Sequence, residues 1–335
     1  MRFHFIMVVW GESFCDLFLD VCLPSLLSPN NLPAFPYRKD SVFVIYTDSR
    51  SRPRIEQSEM YARLRQFMAT RISLMDQYLG PNPFETFQIC HRQAIVGANA
   101  EDAALCFLAP DTVWSDGTFR QLARRAASGV RAVMIPGLRL CRESFVPVIE
   151  EVRRESGDGT IALSSRSLTE IALRHLHPIT VSFFWDYRPV NFWTAHLYWW
   201  VEPDGMLARC FHMHPLMIYP EIRSDFSESI DGDYIAAACR TPGSIYVVQD
   251  SDEMLGFEIS PLLHCIGALR RLRSKTLDVA TFASRYTNAQ HRQFVRYPIR
   301  IHAGDLSPRW EALERSTGRQ VERVLQLARV LEKFK

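Results

Sequence analysis

ALCFLAPD, residues 104–111, is an apolar run that ends in an acidic residue. SVFVIYTD, residues 41–48, repeats this pattern, and residues 3–9 form another apolar run. Short apolar runs bounded by polar residues are typical of buried β-strands. In open α/β sheets, ligands bind beyond the carboxyl ends of the strands. Asp48 and Asp111 therefore lie where a binding site is expected.

Helical patterns separate these predicted strands along the first 140 residues. We expect helices over residues 12–27, 55–68, 85–98 and 118–127, and further strands over residues 72–75 and 130–137. Strands that alternate with helices predict an α/β fold in which a mostly parallel central sheet is flanked by helices.

The second half of the chain does not continue this alternation of strands and helices. Glu202, Pro203, Asp204 and Gly205 form a turn signal between two extended runs, which predicts a hairpin. From about residue 260 the sequence looks helical and basic. It carries an apolar stripe near helical spacing, formed by Trp310, Leu313, Val321, Val324, Ala328 and Leu331. We therefore expect a main domain over residues 1–260 and a helical C-terminal extension over residues 261–335.

Composition narrows the class of protein. The 335 residues are 47% hydrophobic, which indicates a globular chain, and the formal net charge of +2 argues against a general nucleic-acid binder. No apolar stretch is long enough to cross a bilayer. The eight cysteines are scattered, mostly inside apolar runs, which favours reduced thiols in a cytoplasmic protein.

Two histidines are the most distinctive polar pair. They lie in LARCFHMHPL, residues 207–216, and in an extended strand His212 and His214 would point to one face. Two imidazoles on one wall could bind a metal or a phosphate. They could equally be two hydrogen-bonded core histidines. If they form a site, we expect Asp111 and at least one of Asp231 and Asp233 to face the same cleft.

Several other acidic residues could have either a structural or a functional role. Asp231 and Asp233 precede a helical run, so one of them could be a catalytic base that deprotonates a hydroxyl, or Asp233 could cap the helix. Asp116, or Ser115 before it, is expected to cap the helix that follows. Asp250 directly follows a predicted strand and could enter the cleft.

Three strand ends together resemble a known superfamily. The motifs are VVWG (residues 8–11), VFVIYTD (residues 42–48) and FLAPD (residues 107–111) followed by SDGT. They resemble nucleotide-sugar-dependent glycosyltransferases of the GT-A fold, which is Rossmann-like. That resemblance implies that the first two strand ends hold the nucleotide, through Trp10, Gly11, Thr47 and Asp48.

The same resemblance implies a site for a divalent metal, Mn or Mg, bound to the diphosphate. The family has Asp-x-Asp at this point, whereas this chain has APDTV, with one of the two carboxylates. Asp111 matches the second acidic position, and His212 and His214 match the late histidine ligand. Arg139, which follows a predicted strand, could neutralise phosphate. Whether a metal takes part stays open.

The favoured function is an enzyme of polysaccharide biosynthesis that moves a sugar from a nucleotide sugar to a glycan, a lipid-linked acceptor or another hydroxyl. Two alternatives remain, a metal-dependent hydrolase or phosphotransferase and a noncatalytic sugar-binding or scaffold protein. No nucleic-acid partner is expected. The basic C-terminal helices could dock on the parent domain, join two copies, or contact the inner face of a membrane.

Overall fold

The computed structural model describes residues 1–187, 190–191, 193–203, 205–223, 230–264, 269–270 and 275–334. The strands are β1 Arg2–Val8, β2 Val42–Thr47, β3 Ala69–Leu74, β4 Ala103–Leu108, β5 Thr112–Trp114, β6 Ala132–Ile135, β7 Arg139–Cys141, β8 Val190–Asn191, β9 His196–Val201, β10 Gly205–Cys210, β11 His214–Ile218, β12 Ile245–Val247, β13 Gly256–Ser260, β14 Leu269–Arg270 and β15 Ile299–His302. The α-helices are α1 Glu12–Leu17, α2 Leu23–Leu26, α3 Arg52–Glu56, α4 Glu59–Phe67, α5 Pro83–Ala100, α6 Thr118–Ala127, α7 Arg142–Glu155, α8 Ser165–Leu173, α9 Pro178–Ser182, α10 Ile235–Ala238, α11 Lys275–Tyr286, α12 Ala289–Phe294 and α13 Pro308–Glu332. Two π-helical turns, Phe18–Cys22 and Ile230–Tyr234, precede α2 and α10.

The central sheet has seven strands in the order β12-β6-β11-β4-β1-β2-β3. β1 pairs in parallel with β2 and β4, β2 with β3, and β6 with β12. β11 is the exception, since it runs antiparallel to both β4 and β6. The prediction of an α/β fold with a mostly parallel central sheet flanked by helices is confirmed.

Burial on both faces explains why the central strands are apolar throughout. Alternate residues of β1 enter two different core clusters. Phe5 and Met7 pack on one side of the sheet, and Ile6 and Val8 pack on the other. Because both faces are covered, every position needs an apolar side chain, so the strand reads as a continuous run.

The strand order creates a crevice at one edge of the sheet. The chain places β2 and β3 on one side of β1 and β4 on the other, so the order reverses between β1 and β4. Such a reversal leaves a crevice beyond the carboxyl ends of the two strands, where open α/β sheets bind ligands. The first residue of β11, His214, lies at this edge because it pairs with Ile135 at the end of β6.

Two three-stranded sheets complete the fold. One has the order β5-β13-β7, and the other has the order β15-β10-β9. In the second, β9 and β10 form the predicted hairpin, which is confirmed. β15 pairs antiparallel with the other side of β10. The segment 261–335 is therefore not wholly helical, and the division at residue 260, which stays a prediction, is crossed by strand pairing.

Close approach of β10 and β15 requires a glycine at the start of β10. Gly205 has φ +153°, and a Cβ there would overlap the carbonyl oxygen of Ile301. Only a residue without a side chain fits at this point.

The apolar stripe of the last helix packs on the rest of the protein, which is one of the alternatives that the sequence left open. Val321, Val324 and Ala328 are buried against α11. A buried arginine of β10, Arg209, adds polar contacts to the same helix, donating to the hydroxyl of Thr317 at 2.9 Å and to the carbonyl of Glu314 at 2.9 Å. These contacts fix the orientation of α13.

The N-terminus of α6 is capped from a distant loop, not by its own neighbours. The side-chain oxygen of Asn31 accepts from the backbone N–H groups of Gly117 and Phe119 at 3.0 and 3.1 Å. Asp116 instead accepts from the backbone and side chain of Asn30. The expectation that Asp116 or Ser115 caps this helix was wrong, because a tertiary contact supplies the cap.

The seven cysteines in the described part of the chain are free thiols, and all but Cys141 are buried. Among the described residues, no helix has both the length and the apolar character that crossing a bilayer requires.

Candidate functional site

A cavity of about 410 Å³ opens at the carboxyl edge of the central sheet. Its lining combines apolar, imidazole and charged side chains: Phe84, Phe87, Gln88, His91, Phe107, Gly137, Arg139, His196, His212, Met213, His214, Pro215, Ile230 and Glu258. Three residues predicted for a site, Arg139, His212 and His214, line it together. Its size and its mixture of apolar walls with a few polar groups are typical of a small-molecule site.

His214 is held at the cavity by the neighbouring strand. Its Nε2 lies 2.8 Å from the carbonyl oxygen of Phe107 in β4. Because a carbonyl oxygen can only accept, Nε2 must carry the proton and donate. In the neutral ring, Nδ1 then keeps a lone pair, and it is the ring nitrogen left to meet a ligand.

His212 reaches the same cavity by a different route from the one the sequence suggested. Residues 211–213 lie between β10 and β11 and belong to neither strand. The period of two along a strand therefore does not explain why both rings face one space. Instead, the His212 ring packs on the ring of His291 in α12, with centroids 4.1 Å apart. The backbone N–H of Asn288 donates to His291 Nδ1 at 3.3 Å and orients that second ring.

Two further histidines, His91 and His196, line the cavity. Neither was predicted from the sequence. His91 projects from α5 and packs edge-on against Phe107, with ring centroids 5.1 Å apart. Burial, with a smaller effect from the neighbouring His214, lowers the pKa of His91 to about 4. The ring is therefore neutral near pH 7. His196, the first residue of β9, stacks on Tyr198.

Glu258 brings a carboxyl group to the cavity, and Asp111, which is not among the lining residues, lies near enough for the charge of Glu258 to act on it. Glu258 of β13 lines the cavity and contacts Arg139 at 3.1 Å. Arg139 also donates to the hydroxyl of Ser260 at 3.0 Å. Burial, together with the negative charge of Glu258, raises the pKa of Asp111 to about 7. Two close carboxyl groups of this kind can hold one proton between them near neutral pH.

Glu258 is held close to the backbone of the facing loop. A Cβ at Gly137 would lie 3.0 Å from its carboxylate oxygen Oε1. The backbone N–H of Glu258 donates to Leu138 at 2.7 Å. The loop after β6 therefore fixes the position of this carboxylate.

The residues predicted to hold a nucleotide occupy the ends of β1 and β2, beside the cavity. Trp10 is half-buried against Phe87, with ring centroids 5.0 Å apart. The N–H of Gly11 donates to the Ser51 hydroxyl at 3.1 Å. Asp48 accepts from the N–H of Ser51 at 2.7 Å, and Thr47 is fully buried. These four residues are not among those that line the cavity, so their role as nucleotide ligands stays a prediction.

The two candidate bases from the sequence lie on the π-helical turn before α10. Asp233 is exposed, accepts from Asn288 Nδ2 at 2.9 Å, and is not among the cavity-lining residues. The side chain of Asp231 lies outside the described part of the structure. Glu258 is the carboxylate that the structure brings to the cavity, and no motif in the sequence marked it.

Asp111, His212 and His214 do not form a compact metal site. Among the described residues, the group whose ligand atoms all lie within 4.8 Å is Asp250, Asp252 and His302. Asp111 favours its protonated form up to about pH 7, so it offers a metal no negative charge below that pH. The residues at the cavity therefore fit a divalent metal poorly, although the sequence pattern suggested one.

The second group, Asp250, Asp252 and His302, has metal-like spacing but is already saturated by its own contacts. His302 Nδ1 donates to Gly304 at 2.6 Å, and Nε2 lies 3.0 Å from Asp250. Both partners are acceptors, so the ring carries both protons, which a metal ligand cannot do. Arg166 binds both oxygens of Asp252. A metal would have to displace that proton and that guanidinium.

This ion-pair group gives a pH-dependent stability. Burial opposes both shifts, but the hydrogen bond and charge of Asp250 raise the pKa of His302 above 6.5, and the contact with His302 helps to lower the pKa of Asp250 below 3.8. The contribution of His302 is complete below its unfolded pKa of 6.5 and is lost as the pH rises through its folded pKa. The contribution of Asp250 is lost as the pH falls below 3.8.

We expect Asp250→Asn to lower the unfolding free energy by about 2 kcal/mol between pH 3.8 and pH 6.5, and by less at higher pH.

Denaturant titrations of Asp250→Asn over a pH series measure this effect, with the exposed Asp40→Asn as the matched control. A deficit that is equal at pH 5 and pH 9 would show that the pair does not titrate as described.

Comparisons with known proteins give weak likenesses. No protein-family model and no curated protein matches the sequence. Solved structures resemble parts of the fold, among them the following three. S. aureus TarS is 16% identical, with a TM-score of 0.30 over 42% of this chain and 22% of its own. Mouse xyloside xylosyltransferase 1 is 12% identical, with a TM-score of 0.26 over 47% of this chain and 59% of its own.

The third structure is a Bacillus anthracis protein described as a glucose-1-phosphate thymidylyltransferase in complex with sucrose. It is 8% identical, with a TM-score of 0.28 over 41% of this chain and 55% of its own. The chain thus spans less than two thirds of each of these proteins. Scores this low transfer no function. The α/β architecture that the GT-A resemblance implied is present in the sheet itself.

Proposed function

We propose that the protein is a glycosyltransferase that uses a nucleotide-sugar donor and a hydroxyl acceptor. The observation that supports this most is the cavity at the carboxyl edge of the sheet, where Arg139, several imidazoles and Glu258 come together. Transfer from a nucleotide sugar needs two things, a cationic or hydrogen-bonding wall for the diphosphate and a carboxylate to handle the acceptor proton. The cavity offers both.

The contacts support a proposed role for each of these residues. Arg139 is a donor that can bond phosphate oxygens, and His212 and His214 line the same wall. A diphosphate leaving group gains charge as the glycosidic bond breaks, and fixed donors stabilise that charge. Glu258 replaces Asp231 and Asp233 as the proposed base. Its contact with Arg139 holds it in place as the group that takes the proton of the acceptor hydroxyl.

The test is calorimetry with a panel of common nucleotides and nucleotide sugars, with and without manganese. Binding of a nucleoside diphosphate sugar supports the proposal. Absence of binding for every member of the panel rejects it. Binding without turnover on any acceptor would identify a noncatalytic sugar-binding protein. Release of the nucleotide to water, with no acceptor dependence, would identify a hydrolase.

Asp111→Asn should leave diphosphate binding unchanged and cause no loss of stability, because Asp111 is not among the cavity-lining residues. Burial raises the pKa of Asp111 to about 7, so the unfolded chain gives up this proton near pH 3.8 while the folded chain keeps it. Stability from this group therefore falls as the pH rises between those values, and a neutral amide removes the effect. Thermal melting at pH 7 and calorimetry measure the two expectations. A variant that unfolds would assign Asp111 a structural role instead.

A further inference from the structure

The outer face of α13 carries basic side chains that the rest of the protein does not neutralise. The acidic residues of this helix are each paired: Glu311 with Arg315, Glu314 with Arg300, Glu322 with Arg296 and Glu332 with Arg292. Arg319, Arg323, Arg329 and Lys333 are exposed, and within the described part of the chain no carboxylate lies within 4.0 Å of them. The helix therefore presents unbalanced positive charge to solvent.

Apolar side chains lie on the same face of the helix. Val330 is 48% exposed and Phe334, just beyond the helix end, is 84% exposed. At about 100° per residue, Arg319, Arg323 and Val330 differ by only a few tens of degrees around the axis, and Phe334 continues the line. The inner face is buried against the domain, so this stripe is the side of α13 that faces outward.

We propose that this face of α13 docks the protein on an anionic membrane surface. Positive charge attracts acidic headgroups, and exposed valine and phenylalanine beside it can enter the headgroup boundary. A nucleic acid would satisfy the arginines but offers no layer for Phe334. The site differs from the cavity and does not depend on the proposed catalytic function.

The test is flotation of the protein with vesicles of phosphatidylcholine, and with vesicles that also contain phosphatidylglycerol. The protein should bind the second kind only and should be released by high salt, which screens surface charge. Arg319→Gln combined with Arg323→Gln should weaken binding about 25-fold, since each basic residue near such a surface contributes about fivefold.

The matched control is Arg319→Lys with Arg323→Lys, which keeps the charge and should bind as the unchanged protein does. Phe334→Ser should weaken binding without changing its response to salt. Equal binding to both vesicle types, or none to either, overturns the proposal. So does binding to duplex DNA in place of vesicles, or a dimer in solution that the double Gln variant dissociates.

Discussion

Glu258→Gln should lower the rate of sugar transfer by about 100-fold or more while the protein stays folded. Gln keeps the size of the side chain but cannot take a proton from an acceptor hydroxyl. It also removes the negative charge that faces Asp111 and Arg139. Because the donor diphosphate would still meet Arg139 and the histidines, kcat should fall much more than KM for the nucleotide sugar rises.

Steady-state kinetics on the acceptor found by the binding panel measure this expectation. Glu170→Gln is the matched control, because Glu170 is an exposed glutamate of α8 that pairs with Arg174 away from the cavity. The pH profile gives a second readout, since loss of the Glu258 charge should shift the limb assigned to Asp111 to lower pH. Full activity in the Gln variant would remove Glu258 from catalysis.

Gly205→Ala should lower the unfolding free energy by about 3 kcal/mol, the largest stability effect that we expect of a single methyl group. The added Cβ would overlap the carbonyl oxygen of Ile301, and that atom belongs to a paired backbone that cannot rotate away. The backbone at Gly205 also has a φ of +153°, which disfavours a side chain.

Gly97→Ala in α5 is the matched control, since a Cβ there meets no atom within 4 Å. It should be neutral or slightly stabilising, because alanine is the better helix former. Urea unfolding followed by circular dichroism compares the two variants. An equal effect at both positions would mean that the approach of β15 to β10 is looser than described.

The fold could be predicted largely because its central strands are buried on both faces. An apolar run such as residues 104–111 is predicted as a buried strand, because the helical patterns on either side of it predict the helices that cover the sheet. The hairpin followed from its turn residues. β15 did not, because Ile299–His302 is short and pairs with a distant strand. Sequence periodicity carries no information on which strand a segment will join.

The site was predicted in part. Arg139, His212 and His214 line one cavity, but Glu258 comes from β13, whose side-chain direction depends on its pairing with β5 and β7. That pairing is tertiary information. His91 did carry a signal, since Phe84, Phe87, Gln88 and His91 follow the spacing of one helix face and all four line the cavity. This helix face, which carries two phenylalanines and a histidine, is a sequence signal for a residue that lines a site.

The pairing of β15 with β10 has a consequence during protein synthesis. β9 and β10 leave the ribosome together, while β15 follows only after α11 and α12. Until then, one edge of β10 presents its backbone N–H and C=O groups without their native partner. Open edges of this kind recruit strands from other chains. The nascent protein therefore carries an open strand edge until β15 emerges, and slower translation of this interval would prolong the exposure.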